Sequence, residues 1–206
     1  MRDPQNYLPE TASQTAGPYV HIGLVPSDTG IEIYDHELGR DIAGPNAKGE
    51  RIRVEGRLID GNGAALKDGL IEVWQANAAG VYAHPESSGD VEEGFRGWGR
   101  VIADFDSGAW FFETVKPGAG PGRSGARQAP HISLWIVARG INIGLNTRLY
   151  FDDEGAANDA DPVLGRVDPP HRRDTLIATR DDSGDTPVYR FDIRLQGDGE
   201  TVFFDI

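Results

Sequence analysis

Short apolar runs bounded by turn residues, weak helical periodicity, and connectors rich in Gly and Pro predict an all-β chain. The expected architecture is an antiparallel β-sandwich with long loops, an extended N-terminal arm and one or two short helices. The runs are RIRVEGRLI (51–59), GLIEVWQ (69–75), GRVIADF (99–105), AWFFETV (109–115), HISLWIVA (131–138), TRLYF (147–151), VYRFDIRL (188–195) and ETVFF (200–204). Between them, DGNG (60–63), DSG (106–108) and DDSGD (181–185) carry the Asp and Gly chemistry of tight turns. KPGAGPGRSGARQAP (116–130) holds so much Gly and Pro that it reads as a loop, and it leads straight into His131. Helical signal is confined to DEGAANDADPVL (153–164) and PPHRRDTLIATR (169–180), two short surface helices in one insertion. Residues 1–19 have little periodicity and read as an arm suited to packing on a neighbouring chain.

With 206 residues the chain fits one domain, 1–206, more comfortably than two. Asp and Glu number 33 against 20 Lys and Arg, a formal charge of -13 that repels nucleic acid and anionic membranes. Cysteine is absent, which excludes disulfides and thiolate metal sites and suits a reducing cytoplasm. The N-terminal stretch has no apolar core of the signal-peptide kind, and no run approaches membrane-spanning length, so a cytoplasmic protein is expected.

His131 opens a strand on which residues i and i+2 share a face, and a metal-binding strand would carry a second ligand at 133, where Ser133 stands. Taken alone, His131 reads as a satisfied core or edge histidine. Tyr82 and His84 could join it around some other metal, but no carboxylate supports them. Arg139, at the end of the strand, reads as an edge cap or the partner of a surface carboxylate. Trp74, Trp110, Phe111, Phe112 and Trp135 read as core or interface packing. The acidic run 152–154 reads as a solvated turn rather than a cation loop.

In order along the chain, SQTAGPYVHIG, GRLIDGNGAALKDGLIEVWQANAAGVYAH, VKPG, APHI, TRLYFDDE and YRFDIRLQGDGETVFFD resemble the intradiol ring-cleavage dioxygenases over nearly the whole length. The resemblance implies a β-sandwich and a non-haem Fe(III) held by two tyrosines and two histidines, cleaving a catechol between its hydroxyls with O2. Phenolate is a hard anionic donor suited to Fe(III), and imidazole fills the remaining positions without adding charge. On that ligand set Tyr82 matches the first tyrosine and His131 the first histidine. Ser133 stands where the second histidine belongs, and the second tyrosine falls near Gly120, with no tyrosine between Tyr82 and Tyr150.

Half of the donor set is therefore lost, which matches the alpha chain of two-chain members of the family. In these a paralogous beta subunit holds the iron, and alpha and beta together form the pocket within a larger oligomer. The resemblance then implies no metal in this chain, a substrate such as protocatechuate opened to a carboxymuconate, and substrate-binding roles for Thr15, Gly17, Pro18, Tyr19 and Arg139. The rival readings are a stand-alone β-sandwich binding module and an iron enzyme using Tyr82, His131 and substituted ligands.

Overall fold

A computed structural model of the chain describes residues 14–17, 19–35, 39, 41–122 and 125–205. A short helix α1, Tyr19–Leu24, is followed by eleven strands: β1 Arg51–Ile59, β2 Leu70–Gln75, β3 Trp98–Ile102, β4 Ala109–Val115, β5 Gly120–Pro121, β6 Arg127–Gln128, β7 His131–Val137, β8 Leu145–Phe151, β9 Ile177–Asp181, β10 Val188–Arg190 and β11 Ile193–Arg194. A second helix, α2, spans Gly155–Ala160 between β8 and β9. Nine strands form one sheet in the order β11-β1-β10-β9-β8-β7-β2-β3, with β4 paired to β1, and β5 and β6 form a separate two-stranded ribbon.

The sheet is mixed: most neighbouring strands pair antiparallel, as the sequence leads one to expect, and a few run parallel. β1 runs parallel to β10 and β11, and β8 runs parallel to β9. The long crossover between Phe151 and Ile177 is what lets β9 return beside β8 in the same direction. One main core takes Ile52, Val54 and Leu58 from β1, Ile71 and Val73 from β2, Trp110 and Phe112 from β4, and Ile132, Leu134 and Ile136 from β7. These positions alternate with outward residues, as in β4, where Phe111 and Glu113 point to solvent. Buried Gln75 ties β2 to β4, donating to the Val115 carbonyl at 2.9 Å and accepting from the Thr114 hydroxyl at 2.9 Å.

Several local expectations change. The 169–180 stretch forms a 3-10 turn over Pro170–Leu176 and then strand β9, because TLIATR carries its apolar residues into the sheet. The 153–164 stretch breaks into a 3-10 turn at Asp152–Glu154, α2, and another turn at Leu164–Arg166. Asp153 and Glu154 both pair with Lys116, at 2.7 and 2.8 Å, so the acidic run is an ion-paired staple rather than a free turn. The run 188–195 splits into β10 and β11 where the Asp192 carboxylate accepts the Arg57 N–H at 3.0 Å in place of a ladder bond. Residues 200–204 make only an isolated bridge from Phe204 to Asn146. The 116–130 loop contains the β5–β6 ribbon.

Candidate functional site

The turn after β2 is built by Asn77, whose side-chain oxygen accepts the Ala79 and Val81 N–H groups at 3.0 and 2.9 Å. It turns through Gly80, at φ +80° and packed against the Ala119 carbonyl, where a side chain has neither the conformation nor the room. This delivers Tyr82 to the mouth of a cavity of about 640 Å³ lined by Trp74, Tyr82, His84, Gly120, Pro121 and Arg127. Tyr82 stacks on Trp74 with ring centroids 5.8 Å apart.

His131 enters from the other side. Asp161 is buried and accepts the N–H groups of Ala129, Val163 and Leu164, so the residues before the strand are pinned. The Ala129 carbonyl can only accept, so His131 carries its proton on Nδ1, which donates to it at 2.7 Å. Nε2 is then an acceptor, and the Tyr82 hydroxyl donates to it at 3.3 Å. Burial, followed by the nearby Arg148 charge, pushes His131 down to about 4, and burial raises the Tyr82 phenol. Both groups are neutral near pH 7 and bound to each other.

The two departed positions lie in the same place. A β-carbon on Gly120 would sit 3.9 Å from the Tyr82 hydroxyl in ordinary contact, so a side chain there would have room beside Tyr82. Ser133 lies between Trp74 on β2 and Arg148 on β8 in the strand register. Arg148 Nη1 donates to the Gln128 side-chain oxygen and, at 3.3 Å, to the Tyr150 hydroxyl. Tyr82 and His131 are in contact and Gly120 borders Tyr82, while Ser133 is placed by register alone, between Trp74 and Arg148; one phenol and one imidazole do not complete the family ligand set. Among the described residues no three His, Cys, Asp or Glu side chains are grouped to hold a metal. The present donors do not fit the family's iron. His84, exposed and accepting the Glu86 N–H, belongs to no such group either.

Arg139 follows the far end of β7. The strand from His131 covers seven residues, roughly 20 Å of extended chain, and Arg139 itself lies in the turn beyond it. Its Nε donates to Asp68, and it is largely exposed. Thr15 sits against the same backbone, accepting the Gly140 N–H at 2.8 Å and donating to the Ala138 carbonyl at 3.3 Å. The structure therefore brings Thr15 and Arg139 together. Gly17 has open space where a β-carbon would point, and its carbonyl accepts the Val20 N–H. Tyr19 is 79% exposed as the first residue of α1 rather than part of an extended arm. Pro18, like residues 1–13, lies outside the described residues. Sequence reading missed Asp68 and Arg148, whose partners are set by register and not by neighbouring positions.

The family model described as Dioxygenase matches residues 27–197, a span that contains both ends of β7. Over 98% of its length and 99% of the relative's, the chain is 50% identical to the protocatechuate 3,4-dioxygenase alpha chain of Pseudomonas putida. It is 34% identical to the protocatechuate 3,4-dioxygenase beta chain of Burkholderia cepacia, over 79% of this chain and 72% of that one. The solved hydroxyquinol 1,2-dioxygenase of Pseudomonas putida DLL-E4 superposes with a TM-score of 0.59 at 19% identity, covering 79% of this chain and 63% of the other, a likeness of fold. The chain belongs to the intradiol ring-cleavage dioxygenase family.

Proposed function

We propose that this chain is the alpha subunit of a protocatechuate 3,4-dioxygenase, acting as one domain with an iron-bearing beta subunit. The carrying observation is the separation along β7. The retained Tyr82 and His131 are spent on each other at one end, while Thr15 and Arg139 stand beyond the other end of the seven-residue strand, exposed for a neighbouring chain. The relatives named as alpha and beta chains support the same division of labour. We also read the sheet as curled into a sandwich, on the strength of the single main core shared by β1, β4, β2 and β7, and place the pair in the cytoplasm, which suits a chain without cysteine.

Fe(III), held in the partner, supplies the polarisation of the two catechol oxygens. This chain supplies the grip on the other end of the ring. Protocatechuate is an anion near neutral pH, and a chain of charge -13 repels it at long range, so binding needs a local cation. Arg139 presents a planar fork of donors that matches a carboxylate. Asp68 takes the Nε side of the fork, which leaves the terminal nitrogens for the substrate. Thr15 fixes the backbone on both sides of residue 139. The resemblance extends substrate contact to Gly17 and Tyr19, where a glycine without a side chain allows close approach, and to Pro18, which lies outside the described residues.

The test is reconstitution. Co-expressed with a beta chain, the pair should consume O2 with protocatechuate and contain one iron per alpha-beta unit. This chain alone should hold no stoichiometric iron and show no visible tyrosinate-to-Fe(III) absorption. Tight iron at one per isolated chain would overturn the reading.

A further inference from the structure

The cavity over Tyr82 poses a question of its own: what balances a ligand cluster that has kept half its donors. Ser133 occupies the position on β7 from which a second imidazole would face the cluster, and its direct cross-strand neighbour on β8 is Arg148. The guanidinium reaches the neighbours of the cluster through two hydrogen bonds. It donates to Gln128, whose side-chain amide holds the Pro121 carbonyl at 2.9 Å and whose backbone pairs with Gly120. It donates to Tyr150, whose ring lies 5.6 Å from that of His131. Its charge reaches Tyr82, His131 and Tyr150 alike.

No carboxylate forms an ion pair with Arg148 among the described residues. The nearest one in its network, Asp161, accepts from Tyr150 at 3.3 Å and already has both oxygens committed to the N–H groups of Ala129, Val163 and Leu164. A fixed positive charge that is half-buried and not neutralised repels a second cation strongly, because little water intervenes to screen the two.

We infer that Arg148 is the resident cation of the former ligand cluster: its guanidinium takes the electrostatic place of a metal ion, so refilling the lost donor positions does not by itself recover a metal site. Loss of donors and gain of this charge are two separate locks on the same door. The inference concerns this chain's own cluster and rests on the reading that the partner subunit, not this chain, carries the family's iron.

The experiment measures iron per alpha-beta unit and visible absorption in the assembled pair, reading only the increment over wild type. Gly120→Tyr with Ser133→His should add no iron. Adding Arg148→Gln to that pair of changes should add up to one iron per unit, with a new tyrosinate-to-Fe(III) band, whereas adding Arg148→Lys should add none. The amide at 148 keeps a donor for Gln128 and Tyr150, and lysine keeps the charge while losing the planar fork. Full uptake without any change at 148, or equal uptake with lysine and glutamine there, would overturn the proposal. A lighter arm guards against a variant that fails to assemble. Ser133→His with Arg148→Gln leaves Gly120 alone and offers Tyr82 and two imidazoles to Co(II), read by its visible absorption. Ser133→His with Arg148 intact should bind Co(II) at least tenfold more weakly, and equal binding would sink the idea.

Discussion

The two ends of β7 carry the two halves of the chain's chemistry and treat it in opposite ways. At the start, His131 is buried, neutral and bonded to Tyr82 and Ala129, so both of its ring nitrogens have protein partners. At the finish, Arg139 is charged, largely exposed and held from one side only, with Thr15 bracing its backbone. A site that has stopped reacting closes its hydrogen bonds inward, because a buried donor or acceptor left open costs free energy. A surface meant to meet something else leaves donors open to water and fixes only their direction. The two conditions are met at opposite ends of one seven-residue strand, roughly 20 Å of extended chain.

The largest test of the comparison is acid. Burial holds His131 at about 4, well under the ordinary 6.5 it regains on unfolding. Between those values the unfolded chain binds a proton that the folded chain refuses, so stability is full above pH 6.5 and falls as pH drops toward 4. The loss over that window is about 3 kcal/mol if the whole shift is expressed. Calorimetry of the assembled pair should show this slope, and His131→Gln, which keeps one donor and one acceptor without a titrating ring, should flatten it. An equal slope in the variant would mean that His131 is not the closed, neutral group described here. Arg139→Ala should leave the slope untouched.

Next in size is the open end. Arg139→Ala should lower kcat/KM for protocatechuate by about ten- to a hundredfold, on the order of 1.5–3 kcal/mol for a charge-assisted contact. Plain catechol, which has no carboxylate, should be turned over nearly as before, and lysine should recover only part of the loss. Equal damage on both substrates with iron unchanged would make Arg139 a structural residue. The closed end gives the converse. Tyr82→Phe removes the donor to His131 Nε2 and leaves a buried acceptor open, which should cost about 1–2 kcal/mol of stability with no change in kcat or KM.

Much of this was readable from sequence, for reasons that differ by element. The runs 51–59 and 109–115 coincide with β1 and β4 because alternation of apolar and polar residues fixes a half-buried strand locally. Tyr82, His131 and the two lost positions were placed by resemblance; the fold bonds Tyr82 to His131 and sets Gly120 beside Tyr82. The strand β9 was hidden because TLIATR has no alternation, and only its two neighbours in the sheet, β8 and β10, make it a strand. The break at Asp192 was hidden because the N–H it satisfies belongs to Arg57, far away in sequence. Arg148 was invisible for a similar reason. Nothing near it in the chain says that it faces Ser133, since that follows from the register of β7 on β8.

The smallest expected effect separates bracing from gripping. Thr15 holds residues 138 and 140, not the guanidinium, so it acts on Arg139 only by limiting where the backbone can carry it. Thr15→Val keeps the shape and removes both bonds. Because Thr15 is exposed, water replaces part of what is lost, and the effect should be about 0.5–1 kcal/mol, a two- to fivefold rise in KM for protocatechuate with kcat unchanged. Thermal stability should stay within a degree or two of wild type, which distinguishes this change from Tyr82→Phe. Deleting residues 1–17 removes the brace together with the rest of the arm, and should weaken association with the beta chain as well as raising KM. If the valine variant matches wild type on KM while the truncation does not, the arm contributes surface to the partner, and the position of Arg139 is set by Asp68 alone.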